Sequence, residues 1–191
     1  MMLKKLIPWY LKIIIKIIIA RLPFNIHIFW RNLGMFRHGN MDDTSYVVSN
    51  FMNLFNYASV NTKNCNGLNF LEVGAGDSIG SGVVASNFGM SSFIIDVDSF
   101  ATKDTEFYKK IISELDNSNL NTLKKDFNSY EEMCEKLDIT YLTQGTSSFK
   151  NINDNSIDII ISQACLEHVR KKEFEFFMDE NYRVCKKGAL S

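Results

Sequence analysis

LEVGAGDSIGSG, residues 71–82, decides how this chain is read. An apolar run closes at Val73, glycines follow at 74 and 76, and small residues lead into Val83 and Val84. That is a buried strand, a glycine turn and the start of a helix, the frame on which parallel sheets hold ligands. The dinucleotide fingerprint G-x-G-x-x-G fits Gly74 and Gly76, but its third place is Ile79, and the next glycine comes one residue late at Gly80. Asp77 lies in the turn itself. A carboxylate there occupies the positive field of the helix N-terminus and repels a pyrophosphate. Both departures weigh against a nicotinamide or flavin dinucleotide, and so against an oxidoreductase.

Outward from this turn the pattern alternates. Leu68 to Val73 reads as a first strand and Ser78 to Phe88 as a helix. FIIDV (93–97) is a second strand and DTEFYKKIISELD (104–116) a helix capped by Asp104, with Phe107, Tyr108, Ile111, Ile112 and Leu115 inward. SYEEMCEKL is a shorter helix, ITYLT a third strand and SIDIIIS a fourth. KKEFEFFMDENYRVCKK reads as a helix that stops at Gly188. Apolar strands alternating with helices predict an α/β fold, a mostly parallel Rossmann-like sheet with helices on both faces. The sequence ends at ALS, where a fifth strand would begin, so the C-terminal strands are expected to be missing and the fourth strand to lack a neighbour. An uncovered edge of that kind favours dimerisation or aggregation, and weak cofactor binding with little turnover is expected of the 191-residue chain.

Ahead of this region the chain reads as helical. Asp43 or Thr44 caps a helix through YVVSNFMNLFNYA, with Val47, Val48, Phe51, Leu54 and Phe55 at helical spacing. LIPWYLKIIIKIIIA is very apolar, yet Lys12 and Lys16 interrupt it, and no uncharged run approaches the ~20 residues of a membrane span. Lys5, Lys12 and Lys16 form one narrow stripe. Such a helix lies in a membrane interface through residues 3–21 or packs on its own domain or a partner. The expected layout is a helix over 1–21, a helical cap over 22–66 and the ligand-binding domain over 67–191.

Composition narrows the function. A net charge of -1 argues against nucleic-acid binding. The four cysteines form no C-x-x-C pair, so no metal site is expected, and reduced thiols fit a cytoplasmic protein. S-adenosylmethionine suits the turn better than a dinucleotide. It has no phosphate, and its sulfonium and ammonium favour a nearby acid such as Glu72. Asp96, twenty residues after Gly76, is placed to accept two ribose hydroxyls. Taken singly, each feature has a structural explanation: glycine turns join many strands to helices, and Asp96 or Asp98 would serve as a cap. Their order on one strand–turn–helix–strand frame favours a cofactor site.

LEVGAGDSIG, IIDVD, NSIDIIISQACLEHV and YRVCKKG, in that order, resemble the class I S-adenosylmethionine-dependent methyltransferases from about Leu22 onward. The aromatic R-H-G segment ahead of them is similar to that of a bacterial subgroup. The resemblance implies S-adenosyl-L-methionine as cofactor, with Glu72, Gly74 and Gly76 lining its methionine moiety and Asp96 its ribose. Ala75 and Val97 belong to the same implied set. Gln144, Gly145 and Thr146 fall where the family contacts adenine, with Gln144-Gly145 in place of an aspartate that many members carry. Ser162, Gln163 and Ala164 border the sulfonium and the acceptor. His168 in LEHV is the candidate base, although the family histidine at this place is often structural, and His38 is a second candidate that also reads as an ordinary loop residue. The implied function is methyl transfer to a small molecule, lipid or surface sugar. The alternative is a truncated, non-catalytic binding module attached to a membrane or partner.

Overall fold

The computed structural model describes residues 41–117, 126–163, 165–166 and 169–191. Within them the order is α1 (Thr44–Tyr57), β1 (Asn69–Val73), α2 (Gly80–Asn87), β2 (Ser91–Ile95), α3 (Thr105–Asn117), α4 (Tyr130–Lys136), β3 (Ile139–Leu142), β4 (Ile157–Ile161), α5 (Lys171–Val184) and β5 (Cys185–Leu190). Short 3-10 segments at Thr62–Asn64 and Gly145–Asn151 complete it.

Asp43 opens α1, its carboxylate accepting the amides of Ser45 at 3.0 Å and Tyr46 at 3.2 Å. Val47, Phe51 and Phe55 then recur at four-residue spacing, and all three are buried. Phe51 stacks on Phe55 with ring centroids 4.2 Å apart and tilts against Phe70 of β1. Burying side chains of this size contributes ~1.5–3 kcal/mol each. The small residues of α2 let its neighbours close in. A Cβ at Gly80 would meet Val47 of α1 at 2.7 Å and Ile111 of α3 at 2.8 Å. Asp104 opens α3 as the sequence predicts, accepting the amide of Glu106 at 3.0 Å.

The five strands lie in the order β3-β2-β1-β4-β5, and every pairing is parallel. Alternation along β1 sends Phe70 to the core under α1 to α4 and Leu71 and Val73 to a second core, with Phe149, Phe177 and Val184. Both faces of the sheet are therefore covered, which is what apolar runs without alternating polarity require.

The expectation for the C-terminus is corrected. α5 ends at Val184, not at Gly188, and Cys185–Leu190 form a fifth strand beside β4, whose edge is thus paired. Lys186 reaches Asp158 of β4 at 2.7 and 2.9 Å, an attraction that favours the strand over another helical turn. Ile157 faces Cys185 while Ile159 faces Leu190, so β5 takes up extra residues in a bulge, and Gly188 adopts φ +86° there. Arg183 anchors the end of α5. Its guanidinium donates to the carbonyls of Phe149 at 2.9 Å and Ile152 at 3.1 Å, and pairs with Glu180 and Asp154.

Candidate functional site

The chain runs from β1 out to β2 and β3 on one side, then returns to β4 on the other. The loops after β1 and β4 therefore part company at β1, the switch point where open α/β sheets form a ligand crevice beyond the carboxyl ends of the strands. The glycine turn, Asp96 and Ser162 lie at those ends, just past Val73, Ile95 and Ile161.

Gly74 and Gly76 have φ of +89° and +69°, a region that favours glycine. Gly74 is also crowded, because a Cβ there would lie 2.5 Å from Cβ of Cys165. The loop after β4 thus touches the glycine turn. Gly76 donates its amide to Oδ2 of Asp96 at 2.9 Å, and Val97 donates to Oδ1 at 2.7 Å. The carbonyl of Asp96 accepts the amide of Gly145 at 2.8 Å. Asp96 thereby joins the turn after β1 to the loop after β3.

Glu72 points to the α2 side of the sheet, where its carboxylate accepts the hydroxyl of Ser81. Glu72 and Asp96 are 6% and 8% exposed, so two acids share a water-poor corner. Burial pushes the Glu72 carboxyl up to about 7; the neighbouring Asp96 charge adds to the rise, while the Ser81 hydrogen bond opposes it. Among the described residues no lysine or arginine pairs with Glu72. Asp77 remains half-buried in the turn, its carbonyl accepting the amide of Thr102 at 2.9 Å.

The other expected residues are placed as follows. Ala75 is buried in the turn. Val97 is 72% exposed beside Gly145, whose φ is +57°. Gln144 is exposed, with its amide donating to Oγ of Ser148 at 3.0 Å, and Thr146 is half-buried in the following 3-10 segment. Oγ of Ser162 is buried with no partner among the described residues. Gln163 is exposed, and its Oε1 accepts Nδ2 of Asn50 on α1 at 2.7 Å. Ala164 and His168 lie outside the described residues, as do His38 and all of residues 1–40. Ser81, Asn50 and Cys165 join the site without having been singled out for it. Each touches its partner across the fold, a proximity that sequence spacing does not encode.

This donor set suits a ligand with cationic and hydroxyl groups. Two buried carboxylates and Asp77 in the turn oppose a phosphate group, and the orphaned Ser162 hydroxyl leaves a polar atom for a ligand to satisfy. Among the described residues no group of three or more His, Cys, Asp or Glu is placed to hold a metal, and no helix is long and apolar enough to cross a membrane.

A family model described as "Methyltransferase domain" matches residues 71–191. No curated protein matches the chain. Among solved structures, the chain is similar to a Methanococcus maripaludis protein assigned as an S-adenosyl-L-methionine-dependent methyltransferase, at 16% identity and TM-score 0.44, covering 80% of this chain and 60% of that one. It is also similar to phosphoethanolamine N-methyltransferase 2 of Haemonchus contortus, solved with phosphomonomethylethanolamine and S-adenosylhomocysteine. There the identity is 18% and the TM-score 0.42, over 71% of this chain and 27% of that one. The chain therefore spans less than two thirds of either length.

Raising the carboxyl of Glu72 from 4.5 to about 7 means that the folded chain holds a proton the unfolded chain releases. The contribution of Glu72 to stability is thus greatest below about 4.5 and falls as pH rises to about 7. Glu72→Gln should match the wild type in melting temperature at the acid end and exceed it by roughly 6–12 °C near neutrality. Thermal melts of both proteins across that range check this; a constant difference at every pH would contradict it.

Proposed function

Because the chain belongs to the methyltransferase-domain family, we propose that it is a class I methyltransferase using S-adenosyl-L-methionine. The observation that carries the reading is the pair of buried carboxylates, Glu72 and Asp96, flanking a glycine turn that itself contains an acid. When bound, S-adenosylmethionine supplies an activated methyl group on a sulfonium cation.

The chain's own residues supply binding and alignment. Gly74 and Gly76 let the main chain approach the methionine end closely. Glu72, steadied by Ser81, offers negative charge to the ammonium and sulfonium. Asp96 is already fixed by two backbone amides, and an ionised carboxylate has about four acceptor sites, enough to anchor the loop and take ribose hydroxyls. Val97, Gly145 and the neighbouring Gln144 and Thr146 border the adenine side. Ser162 and Gln163 border the sulfonium and the acceptor. Orienting two reactants in line contributes ~7–11 kcal/mol, so methyl transfer gains mainly from positioning and needs no strong base.

The acceptor is a small molecule, lipid or surface sugar. The apolar, lysine-edged stretch over residues 3–21 supports an acceptor held at the cytoplasmic side of a membrane. Co-sedimentation with anionic liposomes, with and without residues 1–21, tests this; equal partition of both forms removes the membrane part.

Calorimetric titration with S-adenosylhomocysteine tests the cofactor. The wild type should bind, Asp96→Ala should lose about 10- to 100-fold in affinity, and NAD should give no heat. A folded chain that binds no S-adenosylhomocysteine would leave only the non-catalytic Rossmann-like scaffold.

A further inference from the structure

Two tyrosine hydroxyls, one on a buried and one on a half-buried side chain, tie together the loops beyond the carboxyl ends of the strands. Tyr108, on the first turns of α3, is 0% exposed. Its hydroxyl accepts the amide of Ile79 at 3.3 Å and donates to the carbonyl of Thr102 at 2.7 Å. The amide of Thr102 in turn donates to the carbonyl of Asp77 at 2.9 Å. A closed ring of contacts thus runs from the glycine turn, through Tyr108, to the segment after β2 and back. Tyr141 of β3 holds the middle of that segment. Its hydroxyl donates to the carbonyl of Asp98 at 3.1 Å and accepts the amides of Phe100 at 3.3 Å and Ala101 at 3.4 Å.

Filling the core does not require these hydroxyls. Tyr108 sits at helical spacing with Ile111, Ile112 and Leu115, where a phenylalanine ring would pack as well. The irregular stretch from Val97 to Thr102, however, has no strand or helix to satisfy its backbone groups, and buried or half-buried ones need partners. The same stretch begins directly after Asp96, so its course fixes how that carboxylate faces Gly76. Burial raises both phenols, Tyr141 to about 12, so both keep their donor protons at neutral pH.

We infer that Tyr108 and Tyr141 are positioning residues for the nucleoside half of the cofactor, holding the glycine turn and the β2–α3 loop as one preformed unit. The inference rests on the cofactor reading given under Proposed function. It adds residues that touch no ligand but set the geometry of those that do. Preorganisation of this kind raises affinity by removing the ordering cost from the binding step.

The test compares Tyr108→Phe and Tyr141→Phe with Tyr130→Phe. The Tyr130 ring lies 6.0 Å from that of Tyr108 and under Lys103, contacts a phenylalanine keeps, but its hydroxyl has no hydrogen-bond partner among the described residues. Amide hydrogen exchange is followed over residues 76–80 and 97–104 without ligand, and affinities for S-adenosylhomocysteine and adenosine are measured by calorimetry. Tyr108→Phe should speed exchange in both segments and weaken both ligands on the order of tenfold. Tyr141→Phe should do so mainly over 97–104, and Tyr130→Phe should change neither readout even where it lowers the melting temperature. Unchanged exchange in Tyr108→Phe would overturn the clamp. Faster exchange with unchanged affinity would overturn the positioning role. Faster exchange in a protein whose wild type binds neither ligand would sink the cofactor reading, and the positioning role with it.

Discussion

The carboxylate of Asp96 accepts the amide of Gly76 at 2.9 Å and that of Val97 at 2.7 Å, while its carbonyl accepts the amide of Gly145 at 2.8 Å. One residue thus holds three loops at the carboxyl end of the sheet. The arrangement demands positive φ at Gly74, Gly76 and Gly145, and glycine supplies it at each. It also places a negative charge beside the buried carboxyl of Glu72, whose own ionisation is pushed up to about 7 as a result of burial and that neighbour. Two acids in a corner of low dielectric are costly unless something compensates them. Ser81 compensates in part. A cation bound in the crevice would complete it, and a pyrophosphate would make it worse.

Much of this was legible in the sequence because it depends on local rules. The apolar runs at Phe70–Val73 and Ile157–Ile161 become strands, Asp43 and Asp104 cap helices, and the glycine turn falls between β1 and α2 as its spacing requires. What was not legible depends on contacts across the fold. Tyr108 reads from its spacing as a core aromatic, and its ring is one, but the task of its hydroxyl is set by Ile79 and Thr102, which only the folded chain brings to it. Cys-Lys-Lys-Gly at 185–188 reads as the end of a helix, since lysines and a terminal glycine are its usual signals. The pairing of Lys186 with Asp158 and the open edge of β4 override that local preference and make a strand. Tertiary demand outweighed propensity there, at the edge of the sheet, where a strand's unpaired amides and carbonyls are satisfied by a neighbour.

The clamp and the acid pair are two parts of one design. Tyr108 and Tyr141 hold the loop that follows Asp96, and Glu72 and Asp96 place two buried acids beside it. Asn50 of the α1 helix donates to Gln163 after β4. The proposed cofactor site thus draws on loops after four strands and one preceding helix. This is how a sheet of generic shape acquires a particular chemistry.

The measurement that bears most directly on the central claim is the pH dependence of S-adenosylhomocysteine affinity in the wild type and in Glu72→Gln. On the proposed reading the ligand's ammonium would pair with ionised Glu72, whose carboxyl burial pushes up to about 7. Affinity in the wild type should therefore rise by about tenfold between roughly pH 6 and 8, then level off, while Glu72→Gln shows a flat profile. A flat profile in the wild type, or the same slope in both proteins, would contradict the assignment of the buried acid as the site's partner for a cation.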